Sequence, residues 1–202
     1  MTTTEKTDLM RQIENEAVAL KNSALAQIRR KDNVFPVIGE GSYDAKIMFV
    51  GEAPGKNEAA TGRPFCGASG RVLTQMIEHI GMKREEVYIT NIVKDRPPDN
   101  RDPLPREIEQ YAPFLDRQIE VIQPRVIATL GRYSMAYVMN KFGLEAEVKT
   151  ISQIHGKVFA VKTSYGNATI IPLYHPAVAL YQNSLKAQMF KDFEKVNDII
   201  HS

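Results

Sequence analysis

The sequence has little cysteine, no long apolar segment and little net charge, and the first two shortages exclude particular classes of site and of protein. Its 202 residues include one cysteine, Cys66, so the chain can form no internal disulfide, no CxxC redox pair and no cysteine-ligated iron-sulfur or zinc cluster. No uncharged apolar run approaches the roughly 20 residues of a membrane span, and the polar, acidic N-terminus is unlike a signal peptide. We therefore expect a cytoplasmic protein without a membrane partner.

The net charge of +2 is too small to indicate any partner, but it is unevenly distributed. Residues 1–20 carry a net charge of −2, and residues 125–162 carry +4, which allows a local basic surface there. With 43% hydrophobic and 25% charged residues, the composition is that of one ordinary soluble domain covering residues 1–202.

Alternating helical and strand patterns predict the fold. Apolar residues at steps of three or four predict one amphipathic N-terminal helix over about residues 8–28. Short, continuously apolar runs at 46–50, 87–93 and 125–131 are typical of buried parallel strands, and 157–173 is expected to form a strand pair. Since helical segments separate the strands, the fold class is α/β, a three-layer α/β/α sandwich with a central, mainly parallel four-stranded sheet.

Several common motifs fail to match. The segment 51–57 superficially suggests a phosphate-binding loop, but it has one residue too few between its glycines and Asn57 where Ser or Thr should bind magnesium. No GxGxxG or GxSxG motif is present. The four histidines show no metal-ligand spacing, so no metal site is predicted.

Four segments rich in glycine, proline and polar residues follow strands or lie between them, at 51–55, 62–67, 90–94 and 174–177. The carboxyl ends of parallel strands share one edge of a sheet, so all four segments can converge on a single crevice. We expect the ligand to bind there.

In this order, the segments resemble the family-4 uracil-DNA glycosylases over about residues 39–177, through DAKIMFVGEAPG, TGRPFCGASG, EEVYITNIVKDRPPDNRDPLPREI and HPA. The resemblance implies a uracil-DNA glycosylase-like fold and a monofunctional hydrolase. Such an enzyme flips uracil out of DNA, hydrolyses its N-glycosidic bond and leaves an abasic site for base-excision repair.

The resemblance also assigns residue roles. Glu52 and His175 are expected to be catalytic, Glu52 through water or the sugar cation and His175 through the uracil anion. Asn91 can meet uracil O4 and N3–H because its amide has both a donor and an acceptor. The expected uracil contacts are Ala53 and Gly55 through their backbone amides, Glu58, Phe65 by stacking, Asn91 and His175.

Further residues flank the same crevice and are expected to contact DNA. They are Pro64, Ser69, Arg71, His155, Gly156, Lys157, Pro176, Ala177 and Val178. Val178, Leu180 and Tyr181 could supply an apolar wedge that fills the vacated base stack, or could instead form the buried face of the final helix.

The family normally carries a [4Fe-4S] cluster, and its cysteine ligands are absent here. Asp95 and Tyr111 occupy two of those positions, and the other pair aligns near residues 20–24, where no cysteine exists. We therefore expect no cofactor. The N-terminal helix packed on Tyr111 could replace the metal cross-link by apolar burial, and Asp95 could pair with Arg96 or Arg101.

Two other functions remain open from the sequence. A non-catalytic uracil-DNA binding or damage-sensing protein would keep the pocket but lack turnover, and a nucleotide hydrolase is favoured by the fold alone. For the leading function we expect a monomer acting on uracil in single- or double-stranded DNA.

Overall fold

One six-stranded sheet organises the computed structural model, which describes residues 1–201. The strand order is β1-β3-β2-β4-β6-β5; the central strands β3, β2, β4 and β6 are parallel, and β1 and β5 are antiparallel. The strands are β1 (Glu40–Gly41), β2 (Ile47–Gly51), β3 (Tyr88–Asn91), β4 (Val126–Leu130), β5 (Phe159–Thr163) and β6 (Gly166–Leu173). The sandwich and its parallel core are confirmed, but the sheet has six strands because two antiparallel strands extend its edges.

Nine α-helices cover the sheet within residues 1–201. They are α1 (Thr3–Ala19), α2 (Ala24–Asp32), α3 (Lys56–Thr61), α4 (Ala68–His79), α5 (Pro105–Ile122), α6 (Arg132–Lys141), α7 (Ile151–Ile154), α8 (Val178–Tyr181) and α9 (Asn183–His201). Within this range, none is long and apolar enough to cross a bilayer.

Alternate residues of each central strand point to opposite faces and so build two hydrophobic cores. In β2, Met48 and Val50 face a core completed by α1, α5 and α6. Ile47 and Phe49 face a second core, completed by α4 and α9. Both faces of the sheet are therefore covered, and its carboxyl edge remains available for a ligand.

The predicted single helix at 8–28 is wrong, because the chain forms two helices there. Leu20 leaves helical geometry with a ψ of 117° at the end of α1. Ser23 then caps α2 by accepting a hydrogen bond from the amide of Ala26. The apolar spacing continues across this break, so periodicity alone could not reveal it.

A buried polar cluster ties the N-terminal helices to the loop after β3. We call Ser23, Arg29, Asp95 and Tyr111 the Asp95 cluster. The hydroxyl of Tyr111 lies 2.6 Å from Asp95 Oδ2 and 3.0 Å from Ser23 Oγ, and Arg29 Nε lies 3.5 Å from Asp95 Oδ1. The expected Asp95 pairing is therefore corrected: its partner is Arg29 from a distant helix.

Arg96 and Arg101, the two partners expected for Asp95, are engaged elsewhere. Arg96 donates to Asn100, and Arg101 forms a bidentate pair with Glu107. Helices α1 and α5 do pack together, and the buried residues Met10, Ile13 and Ala17 of α1 belong to the same hydrophobic core as Tyr111.

Candidate active site

A cavity of about 450 Å³ opens at the carboxyl edge of the parallel strands. It gathers the ends of β2 and β3 and the segment after β6, as expected from the topology. The lining residues are Glu52, Ala53, Pro54, Gly55, Glu58, Phe65, Ser69, Asn91, Pro97, Asn100, Arg101, His175, Ala177 and Tyr181. All the residues predicted to contact uracil therefore meet in one place.

Asn91 is the last residue of β3 and contributes a buried amide to this cavity. Its side chain is 1% exposed, and its Oδ1 has no hydrogen-bond partner in the protein. An unpaired buried acceptor costs about 1–3 kcal/mol, so a ligand that donates a hydrogen bond to Oδ1 would remove this cost. Uracil N3–H is such a donor.

Phe65 lies beside Asn91 and is held by an unusual backbone conformation. Its φ of +48° falls in the left-handed region, which is strained for an aromatic residue. A Cβ on Gly51 would lie 2.3 Å from Asn91 Oδ1 and 2.7 Å from Phe65 Cζ, and a Cβ on Gly70 would overlap the Phe65 carbonyl. The two glycines therefore allow the ring and the amide to sit together.

His175 is neutral, with its proton on a defined nitrogen. The amide of Ala177 donates to His175 Nδ1 over 3.2 Å, so Nδ1 is an acceptor and Nε2 carries the hydrogen. Burial lowers the pKa of His175 to about 4, against a smaller opposing effect of Glu58. Near neutral pH, the imidazole is therefore an uncharged Nε2–H donor at the cavity wall.

Glu52 follows β2 and is half-buried. Burial raises the pKa of Glu52 to about 7, the nearby Asp102 adds to the rise, and Arg132 opposes it. Asp102 is itself held by Arg132 and by the hydroxyl of Tyr133, at 2.5 and 2.8 Å. The carboxyl of Glu52 is thus poised to exchange a proton near neutral pH.

Glu58 organises the loop that carries Phe65. Its Oε1 accepts hydrogen bonds from the amides of Cys66 and Gly67, both at 3.0 Å. Ala53 and Gly55 line the cavity, and their backbone amides have no acceptor among the hydrogen bonds of the described chain. They are available to a ligand.

The predicted DNA contacts are dispersed. Ser69 and Ala177 line the cavity, and the exposed Arg71 lines an adjoining cleft that shares Phe65. His155 lies outside the cavity and pairs with the buried Asp192 over 2.6 Å, with Gly156 buried and Lys157 exposed beside it. Pro64, Pro176 and Val178 do not line the cavity: the two prolines are buried, and Val178 packs partly buried against the second core.

Tyr181 lies at the cavity rim and is 85% exposed, and the neighbouring Leu180 is 45% exposed. Neither residue therefore forms the buried face of the final helix. Their exposure keeps them available for a role as an apolar wedge.

Sequence reasoning missed one wall of the cavity, which Pro97, Asn100 and Arg101 provide from the loop between β3 and α5. The Arg101–Glu107 pair anchors this loop to α5, and Asp102 anchors it to Arg132 of α6. The proline-rich, charged composition of this loop was the available signal, because long loops in compact domains are usually functional.

Known proteins match this chain over most of its length. A sequence profile of the Uracil DNA glycosylase superfamily matches residues 38–200. The chain belongs to the uracil-DNA glycosylase superfamily. It is 45% identical to a Type-4 uracil-DNA glycosylase of Sulfurisphaera tokodaii over 95% of this chain and 85% of that protein.

Other Type-4 enzymes of the superfamily agree with this assignment. The chain is 45% identical to a Type-4 uracil-DNA glycosylase of Archaeoglobus fulgidus, over 85% of this chain and 84% of that protein. It is 39% identical to a Type-4 uracil-DNA glycosylase of Thermotoga maritima, over 81% of this chain and 82% of that protein. The family profile begins after the N-terminal helices, whereas the match to the Sulfurisphaera tokodaii protein, over 95% of this chain, includes most of them.

The positions that the family resemblance assigns to cluster ligands do not fit an iron-sulfur cluster in this member of the superfamily. Such clusters are held by cysteine thiolates. The Asp95 cluster instead offers a carboxylate, two hydroxyls and a guanidinium, which are connected by the two hydrogen bonds of the Tyr111 hydroxyl and by the Arg29–Asp95 ion pair. Cys66 lies elsewhere, beside Thr61 and Glu58. Within residues 1–201, no group of three or more His, Cys, Asp or Glu side chains could hold a metal ion.

Proposed function

We propose that this cavity hydrolyses the N-glycosidic bond of deoxyuridine flipped out of DNA, releasing uracil and leaving an abasic site. Membership of the superfamily and 39–45% identity to Type-4 uracil-DNA glycosylases over most of the chain support a DNA glycosylase activity. The assignment of roles to individual residues rests on the geometry of the cavity.

Base recognition centres on Asn91. Its unpaired Oδ1 accepts from uracil N3–H and its Nδ2 donates to O4, while the Phe65 ring stacks on the base. Cytosine presents an acceptor at N3 and an amino group at C4. Asn91 Oδ1 would then face another acceptor, and Asn91 Nδ2 would face another donor. A site built on such hydrogen bonds rejects the mismatched base strongly. The buried, unpaired Oδ1 is the observation that carries the proposal.

Bond cleavage divides between His175 and Glu52. As the bond between C1′ and N1 breaks, its electron pair moves onto uracil, and the Nε2–H of neutral His175 donates to O2 of the anion. A water molecule adds its oxygen to C1′ and loses a proton to the Glu52 carboxylate. Glu52 then releases that proton to solvent or to uracil. The amides of Ala53 and Gly55 add donors to the base.

We further propose that the enzyme works without an iron-sulfur cluster. The single cysteine cannot assemble one, and the Asp95 cluster provides an alternative connection between α2 and the loop after β3. We also propose that the protein is a monomer with one domain. It would act in the cytoplasm, on single- or double-stranded DNA. DNA contacts at Arg71, His155 and Lys157 are part of the proposal.

An abasic-site assay tests the proposal. Labelled oligonucleotides with one uracil are incubated with excess protein, heated in alkali and examined for strand cleavage. We expect cleavage with the native protein, and loss of roughly 10²–10³-fold in rate for His175→Ala, as for other lost oxyanion donors. Asn91→Ala should lose activity similarly.

Two exposed residues provide matched controls, Asn140→Ala and His201→Ala, which should retain the native rate. Tight uracil-DNA binding with no abasic product would overturn the enzymatic function and favour the non-catalytic alternative.

A further inference from the structure

Lys94 is a fully buried lysine whose ammonium lies behind the base-recognition residue. Its Nζ donates to the backbone carbonyl of Asn91, to Thr90 Oγ1 and to Gln118 Oε1, each at 2.7 Å. All three donors of the ammonium are therefore used. Among residues 1–201, no carboxylate lies within ion-pair distance of Lys94, so every partner is uncharged.

Such a lysine is costly to the fold. Burying an ammonium without a counter-ion is unfavourable, and burial lowers the pKa of Lys94 well below its usual range. An uncharged amine would still keep two N–H groups to donate. An apolar side chain of similar size would avoid this cost but would leave three buried acceptors without their donor, so the role of these three hydrogen bonds requires an explanation.

The position of Asn91 provides one. Asn91 ends β3 and forms, with Gly51, the last register pair of β2 and β3. Lys94 reaches back three residues to the carbonyl of Asn91 and at the same time holds Gln118 of α5, whose Nε2 donates to the Ile38 carbonyl and to the Tyr88 hydroxyl. The backbone of Asn91 is thereby fixed to a helix and to a neighbouring loop.

We propose that Lys94 is a positioning residue, whose hydrogen bond to the Asn91 carbonyl aims the Asn91 amide at uracil. The inference rests on the proposed function. The side chain of Asn91 has no protein partner for Oδ1, so only its backbone and its packing set the direction of the amide. Lys94 acts through Asn91 and does not line the cavity.

A double-mutant cycle separates this role from a purely structural one. Single-turnover rates of uracil release are measured for the native protein, Lys94→Met, Asn91→Ala and the double variant. If Lys94 acts by aiming Asn91, we expect Lys94→Met to lose about tenfold or more in the native background and less than about twofold when residue 91 is alanine.

Lys6 supplies the matched control. It is also a buried lysine that donates to two backbone carbonyls, those of Tyr43 and Ile122, but it lies away from the cavity. Lys6→Met should lower the unfolding temperature and leave the rate of uracil release unchanged.

If Lys94→Met does not fold, Gln118→Leu replaces it in the cycle. This substitution removes an acceptor of Lys94 without changing Asn91, and it should show the same coupling to Asn91→Ala at a smaller size.

The outcomes distinguish this inference from the proposed function. A native protein that releases no uracil overturns the function. An active native protein in which the Lys94 variant loses the same factor in both backgrounds, or loses nothing, overturns the positioning role alone.

Discussion

Burial shifts both Glu52 and His175 toward their uncharged forms near neutral pH, although one is an acid and the other a base. The pKa of Glu52 rises to about 7 and that of His175 falls to about 4. Removal from water disfavours the charged form of either group. The cavity therefore carries an uncharged hydrogen-bond donor, His175, and a carboxyl, Glu52, that ionises near neutral pH.

The Glu52 shift predicts a pH dependence. Only the ionised carboxylate can take a proton from water, so the single-turnover rate should rise about tenfold per pH unit below pH 7 and level off above it. Glu52→Gln should be slower and lose this rise. The measurement is uracil release between about pH 5.5 and pH 9.

An exposed acid on α5 is the control, since Glu109→Gln should keep the native profile. A native rate that is flat or falling through pH 7 would contradict the role of Glu52.

At the same scale, sequence reasoning identified the residues expected to contact uracil, but neither the wall formed by Pro97, Asn100 and Arg101 nor the protonation state of each side chain. The motifs indicated Asn91, Phe65 and His175 because strand ends converge in a parallel sheet. They could not reveal that Ala177 donates to Nδ1 and so fixes the His175 tautomer. That bond depends on backbone geometry after the last strand.

At the scale of elements, the Asp95 cluster connects α2, the loop after β3 and α5 through groups far apart in sequence. Tyr111 donates to Asp95 over 2.6 Å, and Arg29 approaches the other carboxylate oxygen. Burial raises the pKa of Asp95, whereas Tyr111 and Arg29 counteract that rise. The cluster therefore holds a carboxylate in the interior where these elements meet.

Tyr111→Phe tests this connection. Losing a hydrogen bond to a buried charge should lower the free energy of unfolding at pH 7 by about 1.5–3 kcal/mol. The pKa of Asp95 in the folded variant would rise further, because its ionised form loses the hydrogen bond from Tyr111. The difference in free energy of unfolding between the native protein and the variant should therefore shrink as pH falls and Asp95 becomes protonated. Urea unfolding at pH 7 and at about pH 4 measures both values.

Tyr137→Phe is the matched control, because the hydroxyl of Tyr137 donates to the partly exposed Asp116, which also pairs with Lys141. We expect Tyr137→Phe to lower the free energy of unfolding at pH 7 by less than Tyr111→Phe does. Equal losses in the two variants would show that the Asp95 cluster has no special contribution.

Local sequence rules also explain what was missed at this scale. The apolar stripe predicted helix over 8–28, and it could not show the break before Ser23 because α1 and α2 keep their apolar faces on the same core. The pairing of Asp95 was sought among nearby arginines, but its partner Arg29 is 66 positions away in the sequence. Such contacts depend on tertiary packing.

At the scale of the whole molecule, net charge along the sequence is a poor guide to the charged surface. Residues 125–162 carry a net charge of +4, yet Arg132 pairs with Asp102 and Lys141 with Asp116. Four exposed cations of this segment, Arg125, Lys149, Lys157 and Lys162, form none of the ion pairs of the described residues, and Arg71 lies by the cavity in a different part of the sequence. The DNA surface is therefore better located from the cavity and its rim than from the charge run.

For the whole protein, we propose that it excises uracil without an iron-sulfur cluster. The most direct test measures iron content and uracil release on the same purified sample. We predict a colourless protein with well below one iron atom per chain that releases free uracil at full rate after treatment with a chelator. Stoichiometric iron, or activity that appears only after a cluster is reconstituted, would contradict the account.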